Sequence, residues 1–244
     1  MGLGRWRAGR GTNLALLVVI LLAVATGALA FAIGVGWAWW AVATHGAAGL
    51  AIVLLAPWKS AVSARGIRRG RPVGASLALA LLVVIVVTSG VAHAVGWWTG
   101  SIAMQVHVGS ALVMIPLVIW HVVARPVRPR KTDLSRRSLL RGAALAGGSL
   151  VTLGGIEGLV RVAGLPGSER RFTGSYERGS FDPERMPVTQ WLDDPLPELD
   201  IGLWRLEVRS GGTTSASTYE ELLRFEDEVR ATLDCTGGWF AAQD

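Results

Sequence analysis

The 244-residue chain is poor in cysteine and in charged residues. Cys235 is the single cysteine of the sequence, so an intrachain disulfide is excluded and the thiol is left for packing, oxidation or metal binding. Charged residues make up only 17% of the chain against 51% hydrophobic residues, which argues against two ordinary water-soluble domains. The first apolar run is too long for a cleaved signal peptide and lacks a convincing small-residue cleavage site.

Acidic residues are scarce in the first two thirds of the chain. Residues 1–164 contain 16 Lys and Arg against two acids, Asp133 and Glu157, whereas residues 165–244 contain 8 Arg against 16 acids. The basic charge of the whole chain therefore belongs to its apolar part and is poor evidence for nucleic-acid binding. We predict no nucleic-acid partner.

Long apolar runs dominate this first part. A helix needs roughly 20 apolar residues to cross the hydrocarbon core of a bilayer. Four runs approach that length, and the second reaches it only if residues 39–43 belong to it; a fifth is richer in Gly and Ala and contains Glu157. The runs cover residues 13–36, 44–58, 73–96, 102–123 and 139–163. We therefore predict a bundle of four to five transmembrane helices in contact with membrane lipid.

The loops between these runs alternate in charge, which predicts the orientation of the bundle. Basic residues occupy the N-terminus (Arg5, Arg7 and Arg10) and the loops 59–71 and 125–137, whereas the loops 37–40 and 97–101 carry no charge. Basic loops stay in the cytoplasm. We predict a multi-pass protein of the cell membrane with a cytoplasmic N-terminus and an extracytoplasmic C-terminal domain. An aromatic belt at the outer interface would comprise Trp37, Trp39, Trp40, Trp97 and Trp98.

All four histidines lie in or beside the apolar runs, where an ionisable side chain is costly and a functional candidate. His45, His93 and His107 are predicted at one outer depth, and His121 lies roughly 21 Å further along the fourth helix on the same side as His107. Imidazole is a common axial ligand of haem iron, so we predict a b-type haem held by His45 with His107 or His93. A second haem at His121 would lack an inner partner. The alternative is that the histidines cap helices or hydrogen-bond near the interface.

Two adjacent arginines precede the fifth apolar run. Arg136 and Arg137 stand before the Gly- and Ala-rich stretch 142–155, an order that resembles the twin-arginine export signal. This resemblance implies that the twin-arginine export machinery is a partner. The alternative is that both arginines only add to the positive charge of a cytoplasmic loop.

The C-terminal part reads as a small mixed domain. Proline is frequent after residue 164. Alternation of apolar and polar residues predicts a strand at 204–208. Residues 218–227 predict a short acidic helix capped by Ser217 or Thr218. Residues 229–233 predict a second strand that leads into Cys235. We find no internal repeat in the sequence.

Three segments of this part carry a family resemblance. They are RFTGS at 171–175, PVTQWL at 187–192 and TLDCTGGW at 232–239. Together they resemble the molybdopterin-binding domain of the sulfite oxidase family, in its bacterial membrane-anchored branch of molybdopterin-dependent oxidoreductases. Members of this branch often carry an N-terminal b-type cytochrome bundle and a twin-arginine helix, so the order of parts agrees over most of the chain.

The resemblance implies roles for particular residues. Cys235 would be the catalytic residue whose thiolate binds molybdenum, and Gly237 and Gly238 would let the molybdopterin approach. Arg171, Thr173 and Ser175 would contact that cofactor. A soft thiolate beside Gly-Gly suits a metal that prefers soft ligands, whereas the alternative is an ordinary buried cysteine.

These observations predict a fold class, a domain order and a function. The fold is an all-α membrane bundle of four to five helices followed by a partial α+β sulfite-oxidase-like domain. Residues 1–131 form the bundle, 132–164 the twin-arginine segment and fifth helix, and 165–244 the N-terminal part of a molybdopterin-binding domain.

The expected function is a membrane-bound oxidoreductase that passes electrons between an extracytoplasmic molybdenum site and a quinone or soluble carrier through haem b. Since only nine residues follow Cys235, the alternative is a truncated, non-catalytic remnant of that family. A transporter is disfavoured because the apolar runs show neither buried acid–base pairs nor a matched pair of broken helices.

Overall fold

The computed structural model describes residues 9–70, 72–188, 195, 197–224 and 226–244. Several residues used in the sequence analysis lie outside these ranges: Arg5, Arg7, Arg71 and Thr189, Gln190, Trp191 and Leu192. The motif at 187–192 is therefore described only at its first two residues.

Five long helices form the first part of the protein, and each is long and apolar enough to cross a membrane. They are α1 (Arg10–Ala32), α2 (Trp39–Arg68), α3 (Gly74–Val95), α4 (Ser101–Ala124) and α5 (Arg136–Val162). Their bounds confirm the predicted apolar runs, including the fifth. Residues 39–43 do belong to α2, so His45 lies two turns inside this helix rather than at its start, where the sequence placed it.

The helices pack as two antiparallel pairs with a fifth helix beside them. α1 packs mainly on α2, α3 packs mainly on α4, and α5 packs on α2. Small buried side chains allow this close approach, as expected where helices meet without a hydrophobic driving force. The buried alanines of α2 and α4 are Ala41, Ala48, Ala51 and Ala103.

Large apolar side chains instead cover the outer surface of the bundle. Leu77 is 70% exposed, Val123 73% and Val151 76%. Exposure of such apolar side chains is unfavourable in water and favourable in lipid. The tryptophans of the two uncharged loops are exposed as well, for example Trp37 and Trp97. The helices and their apolar surfaces indicate a membrane protein.

The segment that follows α5 is fixed to the ends of two helices by one arginine. Arg170 pairs with Glu157 of α5, and its Nη1 donates to the carbonyl oxygen of Ala94 in α3 at 2.8 Å. Glu157 is one of two acids among the first 164 residues. A carboxylate near the end of an apolar helix therefore has a cationic partner just beyond that helix.

Contacts divide the chain into two compact units. The first comprises Met1–Glu177 together with Asp234–Phe240, and the second comprises Arg178–Leu233 and Ala241–Asp244. The residues around Cys235 thus belong to the same unit as the helices. The predicted functional boundaries at 131 and 164 concern roles rather than packing, and they stay predictions.

Five strands follow the helices. They are β1 (Tyr176–Glu177), β2 (Arg205–Ser210), β3 (Thr213–Thr218), β4 (Ala231–Cys235) and β5 (Trp239–Gln243). β2 and β3 form an antiparallel hairpin in which Arg205 pairs with Thr218, and a three-stranded sheet has the order β1-β5-β4. β1 runs parallel to β5, and this pairing brings Tyr176 opposite Trp239.

In this part the predicted types of element are confirmed, whereas their first and last residues differ from the prediction. The first predicted strand is β2, and the second is β4, which starts two residues later than predicted and includes Cys235. The predicted helix at 218–227 is a single turn, α6 (Tyr219–Leu222), capped by Thr218, whose Oγ1 accepts from the Glu221 N–H at 3.0 Å. The acids that follow disfavour extension because negative charge is unfavourable at a helix C-terminus.

Candidate functional site

Two histidines from different helix pairs meet inside the bundle. The imidazole centroids of His45 in α2 and His107 in α4 are 5.8 Å apart, and the ring planes are inclined by 82°. α2 and α4 belong to different pairs, so this contact lies between the α1–α2 and α3–α4 hairpins. Of the partners that the sequence offered to His45, the structure places His107 and not His93 beside it.

Each ring is oriented by a backbone carbonyl of the neighbouring helix. His45 Nδ1 lies 2.9 Å from the carbonyl oxygen of Ala23 in α1, and His107 Nδ1 lies 2.9 Å from that of Val86 in α3. A carbonyl only accepts, so each Nδ1 carries the hydrogen and each Nε2 keeps its lone pair. Metal-binding histidines are commonly held this way, since the hydrogen bond fixes both tautomer and ring direction.

A glycine lies against each ring. A β-carbon at Gly27 would be 2.9 Å from His45 Cε1, and one at Gly90 would be 3.0 Å from His107 Cε1. Any side chain there would push the ring away from its carbonyl partner. The two hairpins thus repeat one arrangement, in which a glycine on the first helix makes room for a histidine on the second.

The distance between the rings suits one metal ion with two axial imidazoles. An imidazole nitrogen binds a metal at about 2.0–2.1 Å and lies about 1.1 Å from the ring centre, so two rings on opposite sides of one ion have centroids roughly 6.3 Å apart. The observed 5.8 Å is about half an ångström shorter, so the rings would separate slightly around an ion. Among the described residues no group of three or more His, Cys, Asp and Glu side chains could hold a metal. Two protein ligands are, however, what a six-coordinate haem requires, because the porphyrin supplies the other four.

His93 makes hydrogen bonds of the kind that the alternative interpretation of the histidines predicts. It ends α3 as a buried residue, its Nε2 donates to the Gly174 carbonyl oxygen at 2.9 Å, and its own carbonyl accepts from the Tyr176 hydroxyl. The His93 and Tyr176 rings also meet edge to face at 5.2 Å. His93 therefore joins α3 to the segment before β1 and does not join the histidine pair.

His121 lies in the last turn of α4, far along the helix from His107. Its charged neighbours are Lys59 and Arg125. Because these are cations rather than further imidazoles, this end of the bundle does not repeat the histidine pair.

Cys235 ends β4 and is followed by a tight turn. The Gly237 N–H points to Cys235 Sγ at 3.4 Å, and the Gly238 N–H donates to the Cys235 carbonyl oxygen at 3.0 Å. Gly238 has a φ of 83°, which favours glycine, and a β-carbon there would be 3.3 Å from His93 Cε1. The turn after Cys235 thus packs on the end of α3.

The residues that the resemblance assigned to molybdopterin gather around Asp234, the neighbour of Cys235. Thr173 Oγ1 donates to Asp234 Oδ2 at 2.8 Å, Ser175 Oγ donates to Oδ1 at 2.5 Å, and Arg171 Nε lies 3.4 Å from Oδ2. The guanidinium of Arg171 also lies 5.1 Å from the centre of the Phe240 ring. Residues of the motif at 171–175 therefore contact Asp234 and Phe240, which lie within and just after the motif at 232–239.

The same contacts show an unexpected feature of this cluster. Arg171, Thr173 and Ser175 direct hydrogen bonds or charge at a carboxylate of the chain, and Asp234 thereby satisfies donors that an anionic cofactor would use. Burial also raises the pKa of Tyr176, next to Ser175, above its usual value. The donors beside Cys235 therefore already have a partner within the chain.

Sequence reasoning missed three residues of these sites: Asp234, Gly27 and Gly90. A signal for the glycines was present, since Thr26-Gly27 and Ser89-Gly90 precede His45 and His107 by 18 and 17 residues. That spacing places each Gly–His pair at one depth of an antiparallel hairpin. Asp234 had no comparable signal, because one carboxylate beside a cysteine is ambiguous.

No protein-family model, curated protein or solved structure matches this chain.

Proposed function

We propose that the helical bundle binds one b-type haem between His45 and His107 and transfers electrons across part of the membrane. The observation that supports this most is the geometry of the pair: centroids 5.8 Å apart, with each Nδ1 held by a carbonyl of the adjacent helix. When bound, haem supplies one-electron redox chemistry. The protein's part is to hold both imidazoles, set their basicity and exclude water.

The backbone carbonyls of Ala23 and Val86 would act on the electronic properties of the iron. A carbonyl that accepts the Nδ1 hydrogen raises the basicity of Nε2, which favours the oxidised metal. Gly27 and Gly90 keep the rings in the position that these hydrogen bonds require. Each hairpin thus contributes one carbonyl that raises the basicity of an imidazole and one glycine that leaves room for the ring.

The electrons would serve an extracytoplasmic oxidoreductase site at Cys235, with a quinone or soluble carrier as the second redox partner. Cys235 would be the molybdenum ligand, in line with the sulfite oxidase family resemblance, and Arg171, Thr173 and Ser175 lie close to it. His93 supports a link between the two sites, because it belongs to α3 and contacts both Gly174 and the turn at Gly238.

Spectroscopy of the purified protein tests the haem. Reduced protein should show a b-type absorption spectrum, and the oxidised protein a low-spin signal from two imidazole ligands. His45→Ala and His107→Ala should each abolish the low-spin signal, whereas His121→Ala should retain it. A wild-type protein without haem, expressed with an adequate haem supply, would contradict the proposal.

Metal analysis tests the molybdenum site separately. The full-length protein should contain molybdenum and pterin, and Cys235→Ser should lose the molybdenum while keeping the haem spectrum. Haem without molybdenum in the wild type would leave the electron-transfer proposal intact and remove the oxidoreductase site.

A second candidate is a haem protein whose C-terminal segment binds no cofactor. The contacts of Asp234 favour it, because this carboxylate engages Arg171, Thr173 and Ser175. Asp234→Ala should lower local stability under either candidate, so cofactor binding distinguishes them. A working cofactor site should bind molybdopterin more tightly once the competing carboxylate is removed, whereas a purely structural cluster should bind none.

A further inference from the structure

A cavity of about 520 Å³ lies at the end of the bundle that carries the basic loops. It is formed where α1 begins, α2 ends and the chain leaves α4. Among the residues that the structure describes, five arginines and no acidic residue line it. These arginines are Arg10, Arg65, Arg69, Arg128 and Arg130.

The wall of this cavity is held together by a network around Asp133. Arg10 donates to both carboxylate oxygens of Asp133 at 2.5 Å and to the Arg128 carbonyl oxygen at 3.3 Å, and the Arg130 N–H donates to Asp133 Oδ2 at 2.7 Å. Asp133 is the one acid in residues 1–156. It can compensate one of the five guanidinium groups, so the cavity keeps a large positive charge.

We infer that this cavity binds the phosphate group of an anionic phospholipid. Guanidinium groups bind phosphate oxygens in pairs of hydrogen bonds, and the cavity volume is within the range of small-molecule sites. The cavity also lies at the ends of helices long enough to cross the membrane, which is the depth of lipid headgroups. The same arginines would also attract free phosphate, and the depth favours the lipid.

Lipid retention by a matched pair of variants tests this site. Arg69 lines the cavity, whereas its neighbour Arg68 does not, so Arg69→Gln and Arg68→Gln remove the same charge at the same helix end. The full chain is reconstituted in phosphatidylcholine containing a minor share of phosphatidylglycerol, and bound phosphatidylglycerol is counted by native mass spectrometry. Arg69→Gln should weaken phosphatidylglycerol binding about fivefold, and Arg68→Gln should leave it unchanged.

Three results decide the outcome. Selective loss in Arg69→Gln and in Arg128→Gln, with unchanged helix content by circular dichroism, supports the lipid site. Equal loss in Arg69→Gln and Arg68→Gln would show general surface attraction and overturn it. Binding of inorganic phosphate in detergent without any preference for phosphatidylglycerol over phosphatidylcholine would assign the cavity to a soluble anion and reject the lipid.

Discussion

The histidine pair and the Cys235 cluster both bring metal-ligand candidates together, and they differ in what their polar atoms contact. In the pair, each Nδ1 donates to a carbonyl, which leaves Nε2 of both rings for a ligand. In the cluster, Arg171, Thr173 and Ser175 contact the carboxylate of Asp234. The histidine rings are thus held by main-chain carbonyls, whereas the donors of the cluster are bound to a side chain of the protein.

This difference matters because polar groups in a low-dielectric interior must have partners. Under the haem proposal, an external group, the haem iron, would be the partner of both Nε2 atoms of the pair. The Cys235 cluster needs no such group to explain its contacts. A cofactor that binds there has to compete with Asp234.

The largest effect is expected at the glycines beside the histidine rings. Gly27→Val or Gly90→Val should weaken haem binding about 10- to 100-fold, because the new side chain displaces a ring from its carbonyl partner. Gly49→Val and Gly109→Val are matched controls, since a β-carbon at either position meets no atom within 4 Å. Haem content per protein is the measurement. Similar losses in all four variants would show that the glycines matter for folding alone.

The next effect concerns the internal partner of the Cys235 cluster. Asp234→Ala removes the acceptor for Thr173, Ser175 and Arg171, and should cost about 1–3 kcal/mol of local stability. The Cys235 thiol should then react about tenfold faster or more with a soluble thiol reagent, because labelling follows the open population. Asp182→Ala, which breaks an exposed ion pair with Arg185 at 3.9 Å, should leave the rate nearly unchanged.

Alkaline titration should report on the buried environment of Tyr176, beside the Cys235 cluster. Burial holds the pKa of Tyr176 above its usual value near 10. The folded state therefore keeps this proton longer, so the stabilisation is complete below about pH 10 and is lost as pH rises through the folded pKa. The phenolate absorbance of the wild type minus that of Tyr176→Phe reports this residue alone, since Tyr219 is the one other tyrosine. If the difference spectrum showed that the Tyr176 phenolate forms below pH 10, the result would contradict a buried environment for this residue.

The smallest effect should come from Ser89, which distinguishes one histidine from the other. Ser89 Oγ and Thr26 Oγ1 each donate to carbonyls of their own helix, and Ser89 Oγ in addition lies 3.4 Å from His107 Nδ1. Ser89→Ala should keep the haem and raise its reduction potential slightly, because His107 loses a weak acceptor and becomes less basic. Thr26→Ala should shift the potential less. Redox titration of both variants provides the comparison.

The helices could be predicted from the sequence because their signal is strong and local. Runs of about 20 apolar residues located all five, and the basic loops marked their ends. One boundary differs from the first prediction: α2 begins at Trp39, although Trp39 and Trp40 are residues that suit the membrane interface. That shift places His45 nearly two turns inside its helix, where it lies beside His107.

The sites could be predicted only in part, because they depend on contacts between distant segments. The pairing of His45 with His107 was among the alternatives, but the choice against His93 depends on the contact of His93 with Gly174, 81 residues away. The contacts of 171–175 with Asp234 join residues about 60 positions apart, which no local pattern in the sequence indicates. The role of Asp234 could not be predicted, because a carboxylate beside a cysteine gives no indication of which hydroxyl groups will reach it.

The pairing of Arg170 with Glu157 has a consequence for the order in which the protein is made. Arg170 is 13 residues downstream of Glu157, so α5 leaves the ribosome and meets the membrane before its carboxylate has a partner. Until residue 170 emerges, Glu157 disfavours a lipid-facing position for this end of α5. Arrival of Arg170, which also binds the Ala94 carbonyl of α3, would convert a weakly held helix into a retained one. Nascent chains ending before and after residue 170 should therefore differ in how firmly α5 stays inserted.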